Sequence, residues 1–410
     1  MRLATLTSHT LISHTLRLQR KVFVFFNLQI MAGNGRGRCK KMRSLLEIMA
    51  ESTSVPTVQP LIKEAEPDLP NELLEKIFTQ LTLRDNIRVS AVCRRWNTVA
   101  ISVRVAEKAP WLMVSPPPKS GDIYEFYDPY QRQRYFLELP ELRGARFSYA
   151  KDGWVLMYKP NTKTIFFFCP YTRERIELPN LSLPLQIAAF SSSPKCPSCV
   201  IFTVKNVSPT IVSVSTCRPG ETQWTTVNYQ TIHPFSCSIW NKIVFCRGLF
   251  YCLTVCGCMG VYNPEDSNWA VHSASPPILP EDVNAQGQWL RAKCMAECNG
   301  DIYFIHTSRE RPVIFKLEQT NGVWVEMEDL GGMTIFANFI CSHVRTDLLG
   351  NMRNSIYFPK VRFYGKRCFS YSFDNDRYYP GNESLDWSRL DPFNRIWIEA
   401  PEDLSPFVQR

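Results

Sequence analysis

Nowhere in these 410 residues do the ~18 consecutive apolar side chains that a membrane-spanning helix needs follow one another. The nearest approach, Val22–Ala32, is short and is broken by Asn27 and Gln29. Acid is missing from residues 1–46, which carry nine Lys and Arg. Setting those nine aside leaves 38 basic residues against 38 acidic ones, so the formal charge of +9 sits in the amino-terminal extension and the body is neutral. A neutral body gives no support to a global grip on nucleic-acid phosphate, and neither a nucleic acid nor a membrane is expected as a partner. Catalytic signatures are absent as well. The chain has no G-x-S-x-G, H-E-x-x-H, P-loop or dinucleotide fingerprint, and Gly33–Gly37 (GNGRG) lacks the strand and helix that a phosphate cradle requires. No enzymatic activity is expected of this chain by itself.

Cysteine is plentiful, with fifteen residues, but lacks the framework spacing of a small disulfide-built domain. Mostly buried free thiols in a reducing compartment are expected. Cys196–Cys199 (CPSC) has half the spacing of a zinc site, yet no second pair at zinc-finger spacing follows. Cys252, Cys256 and Cys258 alternate through an apolar strand, where packing explains them. No metal and no cofactor is expected. His233, His272, His306 and His343 fall in different segments with no evident base or metal partner. The acids Glu326, Glu328 and Asp329 read as a solvated turn.

Glycine is scarce, 18 residues against 29 Pro, which favours many turns over long helices. One stretch departs from this. In Asp68–Ala100, Pro70 suits a first helical turn with Asp68 placed to cap it. Leu69, Leu73, Leu74, Ile77, Phe78 and Leu81 recur every three to five positions as one apolar stripe. Thr82–Asp85 has capping-box form and opens a second helix. Ser90 is expected to cap a third, with Val92, Cys93, Trp96, Val99, Ala100 and Val103 on one face. Three such short helices bury too little to stand alone, so their surplus of apolar side chains calls for a partner.

Those residues resemble the F-box. Leu69-Pro70, Leu73, Ile77, Leu81, Val92-Cys93 and Trp96 follow its L-P-x-x-[LI]-x-x-x-I pattern and its V-C-x-x-W ending over residues 66–105. The resemblance implies docking to a Skp-family adaptor and, through it, to a cullin-RING ubiquitin ligase. Leu69, Pro70, Leu73, Ile77, Leu81 and Val92 would meet the adaptor, with Cys93 and Trp96 supporting or joining the contact.

Beyond about Ala106 the chain turns to period-two runs broken by Gly, Pro, Asn and Asp. Copies of a strand, a turn, an aromatic strand and a further strand start at Gly153, Gly248, Gly300 and Asn354. Degenerate copies lie near Ala109 and Cys199. Repeats near fifty residues with three or four short strands match β-propeller blades, six by this count with seven open. Asn394–Pro401 is expected to supply a closing strand, and Asp329–Met333 a blade-to-blade turn with a left-handed Gly331 or Gly332. Phe166–Leu181, Gly260–Trp269 and Val313–Gly332 are similar to a plant family of F-box proteins carrying the domain of unknown function numbered 295, related to kelch-type F-box proteins. That resemblance implies a propeller-like substrate-recognition domain over 109–405 and no catalytic residues.

The expected architecture is an α+β multidomain chain: an extension over 1–60, a three-helix F-box, and a mostly-β propeller of six or seven blades. Its expected function is recognition of a target protein for a cullin-RING ligase in cytoplasm or nucleus. The alternative is a free-standing or organellar binding propeller with a vestigial F-box. Residues 1–46 motivate it, being basic and acid-free as mitochondrial and plastid transit peptides are. A disordered or upstream-start extension, with Met31, Met42 or Met49 as the true start, explains the same residues.

Overall fold

Short hairpin turns set the repeat. Asp152-Gly153, Arg247-Gly248 and Asn299-Gly300 each place two successive residues at positive φ, between 48° and 86°. This is the type I′ geometry whose twist matches that of paired strands, and glycine takes the second position at little steric cost. The glycines that mark the copies in the sequence are therefore the hinges between the first and second strands of a blade.

The computed structural model describes residues 69–78, 86, 89–103, 109–117, 120–182, 184–232, 235–236, 242–254, 257–273, 293–307, 311–348, 352–362, 367–381 and 393–400. All but Leu69 belong to one unit, Pro70–Arg410. Its β region is a six-bladed propeller. Blade 2 is β4 (Arg146–Lys151), β5 (Trp154–Lys159), β6 (Thr164–Phe168) and β7 (Arg175–Glu177), from the axis outward. Blade 3 is β8 (Ile187–Phe190), β9 (Ile201–Ser208), β10 (Ile211–Cys217) and β11 (Thr225–Gln230). Blade 4 is β12 (Lys242–Cys246), β13 (Leu249–Leu253), β14 (Cys258–Asn263) and β15 (Asn268–Ser273). Blade 5 is β16 (Lys293–Cys298), β17 (Asp301–Thr307), β18 (Pro312–Glu318) and β19 (Val323–Met327).

Blade 1 is made from both ends of the repeat region. The strands β1 (Trp111–Val114), β2 (Ile123–Asp128) and β3 (Gln133–Glu138) receive their axial strand from β25 (Arg395–Ile398). Pairing runs antiparallel from Trp111 opposite Ile398 to Val114 opposite Arg395. The closing strand expected from Asn394–Pro401 is thus present. Around the axis β25 lies against β4, β4 against β8, β8 against β12, β12 against β16, β16 against β21 (His343–Arg345), and β22 (Ser355–Arg362) against β25. Closure on itself leaves the ring no open axial edge.

Blade 6 departs from the repeat. Its order is β21, β20 (Thr334–Phe336), β22, β23 (Arg367–Ser372) and β24 (Arg377–Tyr379). Here β20 runs parallel to β22, because β21 doubles back between them and turns a hairpin into a crossover. The preceding turn behaves as expected, with Gly331 at φ 61° and Gly332 at φ 92°.

Period two is weaker than the sequence suggested. Residues Trp154–Tyr158 are all buried, as are Ile165–Phe168. A blade's middle strands are covered on both faces by neighbouring blades, so a continuous apolar run replaces alternation. Aromatic pairs bridge the blades: Phe126 with Tyr171, Phe167 edge-on to Phe190, Phe202 stacked on Phe250 at 4.8 Å, and Phe336 against Trp397.

Ahead of the ring the described residues hold two helices over their full length, α1 (Asn71–Phe78) and α2 (Arg94–Ser102). Between them residues 86 and 89–93 are described, with Asn86, Val89 and Ser90 in helical backbone and a turn following. Asp68, Leu81 and the Thr82–Asp85 capping box lie outside the described residues, as does the extension over 1–60. Two starts differ from expectation. Pro70 precedes α1 rather than opening it, and its carbonyl accepts from the Leu73 and Leu74 amides. The cap of α2 is Cys93, not Ser90: the Cys93 thiol accepts from the Trp96 amide at 3.4 Å, while the Ser90 carbonyl accepts from Asn97 Nδ2. Ser90 lies inside the preceding helical segment, where its side chain cannot cap.

Candidate partner-docking face

The first helix has two apolar faces. Leu74 and Phe78, one turn apart, are each 3% exposed and point inward with Val89, Val99 and Ala100. Leu73 and Ile77, also one turn apart, are 44% and 48% exposed on the other side. Spacing alone places all four on a single wide stripe, but a helix stripe wider than its neighbour can cover must split.

The inward face is fixed by a few specific contacts. Phe78 meets Trp96 edge-on at 5.4 Å, which holds α1 against α2. Buried Asn86 donates from Nδ2 to the Ala100 carbonyl at 3.0 Å, satisfying the end of α2. Arg95 Nε donates to Asn71 Oδ1 at 2.9 Å, tying the two helix starts. With this face filled, the outward residues have no further place in the helical pair.

The sequence-derived site residues are distributed as follows. Pro70, Leu73, Ile77, Val92 and Cys93 are exposed, and Leu69 and Trp96 are half-buried. Val92 is the most open of the large apolar ones at 63%. Ile101, which the sequence reading passed over, is 54% exposed on α2. Its position in the helical pattern gave no warning, because it follows two buried residues. Burying a large aliphatic side chain fully is worth about 1.5–3 kcal/mol, so half-burying each of Leu73, Ile77, Val92 and Ile101 against a partner would contribute about 1 kcal/mol apiece.

The propeller offers a second kind of surface. Near the axis, at the ends of β4, β8 and β12 where each blade begins, Arg146, Ser148, Ile187, Ile243 and Phe393 line a depression of about 30 Å³. The Arg146 guanidinium lies 4.6 Å from the Phe393 ring and 5.2 Å from the Tyr158 ring. Small-molecule sites run to about 300–1,000 Å³, so this depression suits one water-sized group and no substrate. Among the described residues no group of three His, Cys, Asp or Glu is arranged to hold a metal ion.

At the other end of β4 stands an ion pair. Glu399 accepts from the Asp152 and Gly153 amides at 3.0 and 2.7 Å, and His343 Nδ1 stands 3.3 Å from its carboxylate. The other ring nitrogen of His343 meets the Trp397 carbonyl at 3.0 Å. Burial disfavours the His343 charge, but Glu399 outweighs it and raises the imidazole pKa. For Glu399 burial is likewise opposed, and His343 with the Gly153 amide lowers its pKa. Of the other histidines, His306 is buried in β17, His272 is exposed on β15, and His233 lies outside the described residues. The described histidines do not converge. The acids Glu326, Glu328 and Asp329 are exposed around the turn after β19, and Asp329 accepts from the Gly331 amide.

Known proteins match on both halves. The F-box-like family profile matches residues 67–104, and the KIB1-4 beta-propeller profile matches residues 126–381. An F-box/kelch-repeat protein of Arabidopsis thaliana is 39% identical over 346 residues, 83% of this chain and 96% of that protein. An F-box protein of the same plant is 36% identical over 82% of this chain and 87% of its own length. A further F-box protein there is 33% identical over 82% of this chain and 89% of its own. With a helical pair that leaves its outer apolar face open, a closed six-bladed ring behind it, and these matches, the chain belongs to the plant F-box proteins that carry a KIB1-4 β-propeller.

Proposed function

We propose that this protein is the substrate-recognition subunit of an SCF-type cullin-RING ubiquitin ligase. The observation that carries this reading is the exposure of Leu73, Ile77 and Val92 on a helical pair whose inner face is already filled. Such a ridge suits helix-in-groove recognition, in which a few aliphatic and aromatic anchors supply most of the affinity. The adaptor-facing set comprises Leu69, Pro70, Leu73, Ile77, Leu81 and Val92, with Cys93 capping α2 and Trp96 bracing it. The propeller holds a target protein near the transferred ubiquitin, raising the local concentration of target lysines. The chain itself performs no chemistry in this scheme. It works in cytoplasm or nucleus, where the ligase resides; a fluorescent fusion with a free amino terminus that entered mitochondria or plastids would contradict this.

Co-expression with a Skp-family adaptor tests the docking step. The full chain is expected to co-purify with the adaptor, and Leu73→Asp combined with Ile77→Asp to lose it by at least about tenfold, since two anchors together contribute more than the ~1.4 kcal/mol that a decade requires. Both substitutions are at exposed positions, so the melting temperature should hardly move. Equal adaptor retention by the double variant would refute this docking mode.

A further inference from the structure

In blades 2, 4 and 5 the first hairpin is a two-residue turn, but in blade 3 the link from β8 to β9 is ten residues, 191–200. This longer loop carries Cys196-Pro197-Ser198-Cys199. The Cys199 amide donates to the Cys196 carbonyl at 3.0 Å, closing a turn over the four residues. A turn of this kind keeps its end Cα atoms within about 7 Å, inside the range that a disulfide can span after small adjustment. Pro197 occupies the position where its fixed φ stabilises such turns, so less chain entropy is lost on closing a covalent ring. A further amide bond, from Cys196 to the Ser193 carbonyl at 2.9 Å, holds the entry to the turn.

The two thiols differ in environment. Cys199 is fully buried and donates to the Ser192 carbonyl at 3.0 Å. Cys196 is partly exposed, with its sulfur 3.0 Å from the Ser198 hydroxyl. The Ser192 hydroxyl oxygen, closed off from solvent, lies against both sulfurs. Burial pushes the Cys199 thiol up to about 11, whereas hydrogen bonding from Ser198 lowers that of Cys196. An exposed thiol with more thiolate beside a buried partner with very little is the asymmetry of an attacking and a resolving cysteine. Cys217, Cys252, Cys294 and Cys368, by contrast, are buried in blade cores.

We propose that Cys196 and Cys199 are a thiol–disulfide exchange site that closes reversibly into an intraloop disulfide by reaction with a low-molecular-weight disulfide of the glutathione class. The Cys196 thiolate attacks one sulfur of the small disulfide, whose S–S bond breaks and releases one thiolate to be protonated. Cys199 then gives up its proton and attacks the Cys196 sulfur, expelling the second small thiol. Two protein thiols are oxidised and one small disulfide is reduced to two thiols. In a reducing compartment such a bond is transient, as sensing disulfides are. Asp152, whose amide donates to Glu399 of the axial ion pair, lies close enough to both thiols to act on them electrostatically.

The test is equilibration of the folded full chain in glutathione buffers of graded ratio, followed by acid quench, alkylation and peptide mass spectrometry. The expected product links Cys196 to Cys199 with loss of two hydrogens, is at least ~tenfold more populated than oxidised Cys217 or Cys252, and reverts on adding dithiothreitol. In Cys199→Ser, Cys196 should instead retain a glutathione adduct; in Cys196→Ser, Cys199 should stay reduced. Unchanged melting of both variants confirms that the loop still folds. Oxidation of the pair no greater than that of the core cysteines would overturn the proposal. So would a lasting glutathione adduct on Cys196 in the unaltered chain, or a linkage formed only after denaturation.

Discussion

Lys242 is the residue whose burial has no visible recompense. Its side chain is 4% exposed at the start of β12, and its ammonium makes no hydrogen bond. Burial, abetted by the charge of Lys293, lowers its pKa to about 8. From an unfolded value near 10.4, a fall of that size corresponds to about 3 kcal/mol of penalty when the amine is charged. The folded chain therefore holds fewer protons than the unfolded chain between about pH 8 and pH 10.4, so this group makes stability rise with pH across that window. Below about pH 8 the penalty is present in full. Lys242→Met should raise stability near pH 7 by about 1–3 kcal/mol, and the gain should shrink as pH climbs toward 10; urea unfolding of both proteins at several pH values measures it. Residues of this kind were illegible in the sequence, since Lys242 reads there as an ordinary strand-end lysine. Gly153, Gly248 and Gly300 were legible, because a type I′ turn demands a special backbone and leaves a mark at one position. Cys93 as a cap was missed because a thiol is a weak acceptor beside the hydroxyl of Ser90. The pairing of His343 with Glu399 was hidden by the ring that brings their distant segments together.

At the scale of the element, close packing decides more than periodicity. Gly260 in β14 sits under the Trp269 ring: an added Cβ would fall 2.3 Å from one ring carbon and 2.9 Å from the Phe235 ring. Its φ is unexceptional, so the absence of a side chain serves packing alone. Gly260→Ala should cost about 1–3 kcal/mol through overpacking, read as a fall in melting temperature, while the adaptor co-purification proposed above stays unchanged. The helical pair was legible to a similar depth. The apolar positions of α1 were all present in the sequence, but its split into a buried face with Leu74 and Phe78 and an open face with Leu73 and Ile77 depends on where α2 lies. Blade 6 was the least legible element. Asn354 does mark a left-handed position before β22, with φ 52°, but no sequence signal announces that β20 runs parallel to it.

For the molecule as a whole, stability rests on closing the ring. Trp397 in β25 is fully buried, its Nε1 donates to the Ala337 carbonyl at 3.0 Å, and its ring meets Phe336 edge-on. It therefore ties blade 6 to blade 1 at the seam. Trp397→Ala removes both the ring volume and the hydrogen bond, and is expected to cost about 3–5 kcal/mol by chemical unfolding. Substitutions at the exposed edge of blade 3, such as Val227→Thr, should be near neutral in the same assay. The source of the closing strand and a count of six blades, with seven left open, were legible because the repeat period near fifty residues and the isolated β-rich run survive divergence. The loops that link the blades carry no such period.

The seam has a temporal consequence. During synthesis β1 leaves the ribosome well before β25, so blade 1 waits until blades 2 to 6 have been made for its axial strand. A chain released early, before Arg395, keeps the outward ridge of Leu73 and Ile77 while the inner edge of β1 stays bare. Such a fragment would present an unpaired strand edge, a template for pairing with other chains, so unfinished copies are expected to associate where completed ones stay apart.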